Sequence, residues 1–283
     1  MKQPINGEKS NMLPLYLSNN DKGNVKTVFR HSFNIKLPRI LLHVGNAGDS
    51  LSCLGITLPD DVMVNLVDLV DVGDLVRLVH DKLYIYTKKE IVSIDLKPLS
   101  EVNLRIPVIT PKPMVLEALS IILDQLPFET HWGLNGVTSP QNIIETMLSS
   151  HSSGQIQSTI TYLFGRGRGL TPSGDDILVG FLTVLQAFNI ESRKLWEPEL
   201  IDIMQNRATT DVSAAYLKAT VAGFTSERVK NLLDCLSSGN TSQIEDYVLA
   251  IQKFGHTSGT DLLLGITAGV ANLRGLSSRD KNG

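Results

Sequence analysis

The sequence predicts an α+β chain, a small β-rich N-terminal domain packed on a larger all-α C-terminal domain. Three observations carry this expectation: short apolar runs between turn residues from residue 25 to 110, three prolines at Pro107, Pro111 and Pro113, and helical periodicity from Met114 onward.

Residues 1–24 are polar, with Asn19-Asn20-Asp21-Lys22-Gly23-Asn24 in a row, and read as a loosely held leader. Residues 25–110 read as the β-rich domain. Its clearest hairpin is Leu75-Val-Arg-Leu-Val, the turn His80-Asp81-Lys82, then Leu83-Tyr-Ile-Tyr-Thr, followed by Ile91-Val-Ser-Ile-Asp-Leu. Residues 111–283 read as helical, with apolar spacing at Ile143–Leu148, Ile177–Phe188, Val212–Val221, Val229–Leu236 and Ile244–Ile251.

A chain of 283 residues can bury a substantial core without staples. The formal net charge of −3 and the isoelectric point near 6.1 argue against sequence-independent nucleic-acid binding. Cys53 and Cys235 each sit in an apolar run, the pattern of buried free thiols. No apolar stretch approaches the roughly 18 residues of a membrane span, and the first ten residues lack a signal-peptide apolar region, so the expected location is cytoplasmic.

The chemistry concentrates at Gly165-Arg-Gly-Arg-Gly-Leu-Thr-Pro-Ser-Gly-Asp-Asp176. Gly165, Gly167 and Gly169 free the backbone to turn N–H groups toward one point, as anion-binding nests do. Arg166 and Arg168 add guanidinium forks that match phosphate or carboxylate oxygens. Thr171-Pro172 reads as a helix start with proline in the first turn, and Ser173 to Asp176 as a capping box. Ile177, Leu178, Phe181, Leu182, Leu185 and Phe188 supply the buried stripe. No Gly-Lys-Ser/Thr follows the glycines and no Rossmann strand precedes them, which excludes an ATP loop and a dinucleotide fold. Asp175 and Asp176 would repel an anion unless they cap the helix or hold a divalent cation such as magnesium.

Gly255-His-Thr-Ser-Gly-Thr-Asp-Leu-Leu-Leu-Gly265 repeats that design, placing Ser258 on Ser173, Gly259 on Gly174, Asp261 on Asp176 and Gly265 on Gly180. The second-turn glycines, unfavourable in a helix interior, point to close helix–helix approach. The expectation is a pseudo-symmetric pair of helices whose N-termini converge, gathering Thr171, Ser173, Asp175, Asp176, His256, Thr257, Ser258 and Asp261 around the Gly/Arg loop. His256 is the histidine placed to donate to a substrate oxygen or move a proton. The other five histidines show no metal-ligand spacing. Thr209 or Thr210 caps a further helix, with Arg207 and Ser213 able to face the site.

Together with Thr209–Phe224 and Phe254–Gly265, the segment Gly165–Gly180 resembles a bacterial family of domains typified by the AllH subunit of oxamate carbamoyltransferase. In that family proline usually stands where Arg168 stands here. The resemblance implies a part in converting N-carbamoyl-2-oxoglycine (oxalurate) and phosphate to oxamate and carbamoyl phosphate, in allantoin-derived nitrogen use, with other subunits and magnesium. It would place Arg166 and Arg168 on the anion with Gly165, Gly167, Gly169, Thr171 and Ser258. Magnesium would fall to Asp175, Asp176 and Asp261, and catalysis to His256, Ser173 and Thr257. The Ser-Thr-Arg-Thr motif of aspartate and ornithine carbamoyltransferases is missing. Two other readings stay open: a magnesium-dependent hydrolase with aspartates at helix starts, and a non-catalytic subunit that binds a metabolite.

Overall fold

The computed structural model describes residues 7–110 and 112–279. The chain is α+β. It divides after Arg105 into a β-rich unit and an all-α unit, and the short stretch Phe224–Glu227 belongs with the first. Arg105 bridges Phe224 antiparallel and the Thr225 N–H donates to the Leu104 carbonyl, so this return is stitched by backbone pairing.

The β-rich unit holds β1 (Glu8–Ser10), β2 (Lys22–Val28), β3 (Phe33–Lys36), β4 (Leu41–Asn46), β5 (Gly55–Leu58), β6 (Leu75–Val79), β7 (Lys82–Tyr86), β8 (Ile91–Asp95) and β9 (Ser100–Val102). One nine-stranded sheet results, in the order β8-β7-β6-β2-β3-β4-β5-β1-β9. The β6–β7 hairpin turns on His80 and Asp81, at φ 46° and 63°. Two successive left-handed residues match the right-handed twist of the flanking strands. Along β6 and β7, Val76, Leu78, Leu83 and Ile85 are buried while their neighbours face out, the alternation a half-buried sheet requires. A single helix, α1 (Asp60–Val67), follows β5.

The leader expected over residues 1–24 is corrected for the described part. β1 pairs with β5 antiparallel and with β9 in parallel, and Met12 and Leu13 are buried. The Asn-rich run is turn chemistry: Asn20 takes a left-handed φ of 69°, and Asn19 accepts from the His80 N–H at 3.1 Å. Residues 1–6 lie outside the described residues.

The helical unit comprises α2 (Pro113–Asp124), α3 (Phe128–His131), α4 (Pro140–Ser149), α5 (Ser153–Leu163), α6 (Ser173–Ala187), α7 (Arg193–Asn206), α8 (Asp211–Val221), α9 (Glu227–Ser238), α10 (Ile244–Gln252) and α11 (Ser258–Arg279). Every residue of α6 is buried, so it is the central helix of its unit rather than a one-faced one. Two polar side chains in its later turns are satisfied internally: Thr183 donates to the Val179 carbonyl at 2.8 Å, and Gln186 donates to the Thr220 carbonyl at 2.7 Å. Phe181 meets Trp196 of α7 edge to face at 4.6 Å.

The principal partner of α6 is α11, and glycines set how closely they approach. A Cβ on Gly180 would lie 2.1 Å from the Leu262 carbonyl oxygen, and one on Gly265 would lie 2.0 Å from that of Ile177. The two glycines thus occupy equivalent places, each seated on the backbone of the other helix. Among the described residues no helix is long and apolar enough to cross a membrane. Cys53 and Cys235 are free and buried, and burial pushes the Cys53 thiol up to about 12, so it stays a packing group and not a nucleophile.

Candidate functional site

The Gly/Arg loop is held by an anion the chain itself supplies. Gly165, Gly167 and Gly169 all take positive φ, at 70°, 123° and 94°. The Gly165 N–H this frees donates to Asp175 Oδ1 at 2.8 Å. The other carboxylate oxygen, Oδ2, accepts from Thr209 Oγ1 at 2.5 Å and Ser213 Oγ at 2.6 Å. Asp175 is fully buried, and three donors satisfy it. It therefore anchors the loop and the start of α8 to the first turn of α6.

The two arginines part company. Arg166 lies over the Tyr162 ring, 4.1 Å from guanidinium carbon to centroid, and its Nε donates to the Tyr162 carbonyl at 2.6 Å. It braces α5. Arg168 is exposed and lines a cleft of about 530 Å³ together with Gly133, Gly169, Leu170, Thr171, Ser173, His256, Thr257 and Ser258. Gly165, Arg166 and Gly167 are not among its walls; Gly167 instead packs on the start of α6, where a Cβ would come 2.5 Å from the Ser173 nitrogen.

The two helix N-termini meet. Thr171 Oγ1 and Ser258 Oγ are 2.8 Å apart, across sequence positions 87 residues distant. The expected capping boxes do not form, because Ser173 and Ser258 are already the first residues of α6 and α11, and Pro172 is the N-cap of α6 with no side-chain bond. Displaced one step into the helix, the serines and aspartates turn sideways toward the other helix. A genuine capping box appears at Ser152 and Gln155, at the start of α5. Thr210 caps α8 by accepting from the Ser213 N–H, and its hydroxyl donates to the Leu170 carbonyl, tying the loop down from its far side.

Beneath the hydroxyls that line the cleft lie Asp176 and Asp261. Burial pushes the Asp176 carboxyl well above the ordinary carboxylate range; the hydroxyls of Ser258 and Thr171 pull it back, and repulsion from Asp261 and Asp175 adds to the rise. Asp261 is raised by burial too, against the Gly133 N–H and the hydroxyls of Ser173 and Thr257. Each aspartate reaches a serine of the opposite helix, a reciprocal arrangement. One oxygen of each, Oδ2, is buried with no hydrogen-bond partner. Among the described residues no group of three or more His, Cys, Asp or Glu side chains could hold a metal ion, so the three-aspartate arrangement is not formed, and Asp175 already has its donors.

Gly133, in the loop between α3 and α4, closes the third side. Its N–H donates to Asp261 Oδ1 at 2.9 Å, and a Cβ there would lie 1.8 Å from Ser173 Oγ and 3.0 Å from Thr257 Oγ1. Sequence reasoning passes over this residue; the glycine after Trp132 in a loop is its one local signal. Gly133→Ala should push the Ser173 hydroxyl out of place, and if the cleft takes a small anion it should weaken that binding about tenfold or more, equal to roughly 1.4 kcal/mol. Calorimetric titration with phosphate checks this, and unchanged affinity would move the wall of the cleft elsewhere.

The residues of the cleft thus separate from those that build it. Arg168, Gly169, Thr171, Ser173, His256, Thr257 and Ser258 come together at its surface, Asp176 and Asp261 lie under it, and Asp175, Gly165, Arg166 and Gly167 support it. Residues 163–270 match the family model for oxamate carbamoyltransferase subunit AllH. No solved structure matches the chain.

Proposed function

We propose that this chain is a subunit of a carbamoyltransferase, working with other subunits on oxalurate and phosphate to give oxamate and carbamoyl phosphate in allantoin nitrogen use. The observation that carries the reading is the hydroxyl-lined cleft where α6 and α11 converge, most of whose walls fall inside the segment that matches the family. Phosphate, oxalurate and carbamoyl phosphate are small anions bearing carbonyl or phosphoryl oxygens. Such groups need a fixed positive charge and aimed donors. Arg168 supplies the charge in this reading, Thr171, Ser173, Thr257 and Ser258 the hydroxyl donors, and the exposed His256 at the rim a ring nitrogen able to donate to a substrate oxygen.

The proposal separates the two arginines. Arg168→Ala should weaken phosphate binding by about tenfold to a hundredfold, the range for losing a charge-assisted pair of roughly 1.5–3 kcal/mol. Arg166→Ala should leave affinity within about twofold while lowering stability by about 1 kcal/mol through the lost stacking on Tyr162. Calorimetry and thermal unfolding read the two effects separately. The reaction itself is tested by copurifying the chain with its native partners and assaying phosphate-dependent cleavage of oxalurate. Activity of the assembly that neither the chain nor its partners show alone supports the reading, and turnover of a different substrate by the lone chain overturns it.

A further inference from the structure

The β-rich unit carries a cavity of its own, and the way its sheet closes explains where. β8 and β9 stand at opposite ends of the strand order, yet only Leu96, Lys97, Pro98 and Leu99 connect them. A flat sheet of nine strands would hold its end strands about 38 Å apart, whereas the chain from Asp95 to Ser100 reaches about 18 Å at most. The sheet therefore rolls on itself. Lys9 of β1 meets Leu96 across the seam, its Nζ donating to the Leu96 carbonyl at 2.9 Å. At the end of the roll that carries the β6–β7 turn lies a cavity of about 400 Å³, with Leu13, Leu78 and Leu96 as its buried floor and Pro14 and Leu17 as a wall. The mouths of closed sheets are common small-molecule sites, and this volume falls in their usual range.

We propose that this cavity binds a small monocarboxylate with an apolar body. The leucines of the floor and wall take the apolar part, whose burial supplies most of the affinity. Lys9 takes the carboxylate. Its half-buried ammonium spends one donor on the neutral Leu96 carbonyl, and among the described residues it makes no ion pair. A cation so placed, against apolar side chains, gains most from a charge-assisted bond to an anionic group. The other charged side chain of the lining is Asp81, exposed at the rim, and it repels a second carboxylate. That favours one negative charge, at the Lys9 end. The cavity is also preformed: the Asn20 N–H donates to the Leu78 carbonyl at 2.8 Å, the Leu78 N–H to the Asp21 carbonyl at 2.9 Å, and the His80 N–H to Asn19 Oδ1 at 3.1 Å. These bonds tie the segment after Leu17 to β6 and its turn. All of the lining lies outside residues 163–270, so the site stands apart from the carbamoyltransferase reading.

The test is calorimetric titration of the full chain with octanoate, and with octanol as its uncharged counterpart. Octanoate should bind at one site per chain. Hexanoate should bind about tenfold more weakly for its missing methylenes, and octanol about tenfold more weakly for its missing charge. Lys9→Met should cost octanoate about tenfold while shifting octanol by less than about twofold. Leu17→Trp fills the wall from a different segment and should weaken both by about tenfold or more, which keeps the test open should Lys9→Met fail to fold. Arg168→Ala should leave octanoate affinity unchanged; a loss there would put the ligand in the cleft of the helical unit and overturn the proposal. No saturable octanoate binding, equal affinity for octanoate and octanol, or full affinity in a folded Leu17→Trp chain overturns it as well. None of these outcomes depends on oxalurate cleavage, so this proposal and the carbamoyl reaction fail separately.

Discussion

Asp175→Ala is expected to destabilise the helical unit by about 3–5 kcal/mol, the range for leaving a buried charged network without its centre. Alanine would remove the acceptor of the Gly165 N–H and of two hydroxyls, Thr209 and Ser213, inside a fully buried pocket. Gly165 holds its φ of 70° in part for that bond, so the loop should loosen as well. Asp175→Asn keeps the volume and one acceptor oxygen, while the hydroxyls can rotate to accept from the amide, so it should cost about 2 kcal/mol. Urea unfolding measures both as a fall in midpoint at constant slope. A loss under about 1 kcal/mol for alanine would show that the carboxylate does not anchor the loop.

The second large effect concerns the glycine pair. Gly180→Ala and Gly265→Ala each place a methyl group about 2 Å from a carbonyl oxygen of the facing helix, where no side chain can swing aside. Alanine gains about 1 kcal/mol in helix propensity over glycine. Overpacking against rigid backbone costs about 1–3 kcal/mol and at times more, and contacts near 2 Å to backbone put these sites at the upper end, so each variant should lose up to about 2 kcal/mol net. The double variant should cost clearly less than the sum, because one separation of α6 from α11 relieves both clashes. Strict additivity would show that the two sites do not share an interface. Both variants should also weaken binding in the cleft, since its hydroxyls are contributed by the two helix starts.

Much of this was legible in the residues and some was not, for identifiable reasons. The β6–β7–β8 meander can be read because its apolar residues alternate and its turn carries residues that tolerate a left-handed backbone. The pairing of α6 with α11 can be read because Gly180 and Gly265 fall at matching places after matching Ser-Gly starts. β1 is three residues, Glu-Lys-Ser, whose strand conformation comes from the strands on either side of it and not from its own propensity. The total burial of α6 is hidden because Ser173, Gly174, Thr183 and Gln186 look like a polar face, yet the fold satisfies or covers each of them. In the loop, glycine spacing announces N–H groups turned inward but cannot say toward what. Asp175, ten residues on, is the nearer anion. Gly133 is brought to the site by tertiary structure alone.

The pairing of α6 and α11 has the form of an isologous interface, in which residue i touches j while j touches i, a pattern that ordinarily belongs to two identical subunits about a two-fold axis. A homodimer can change one side of such an interface only by changing the other. Here both sides lie in one chain and vary independently. The arm before α6 brings Arg168 to the cleft, while the arm before α11 brings His256. A symmetric frame can thereby present unlike groups to the two ends of a ligand, which is what a molecule with a carboxylate at one end and an amide at the other requires.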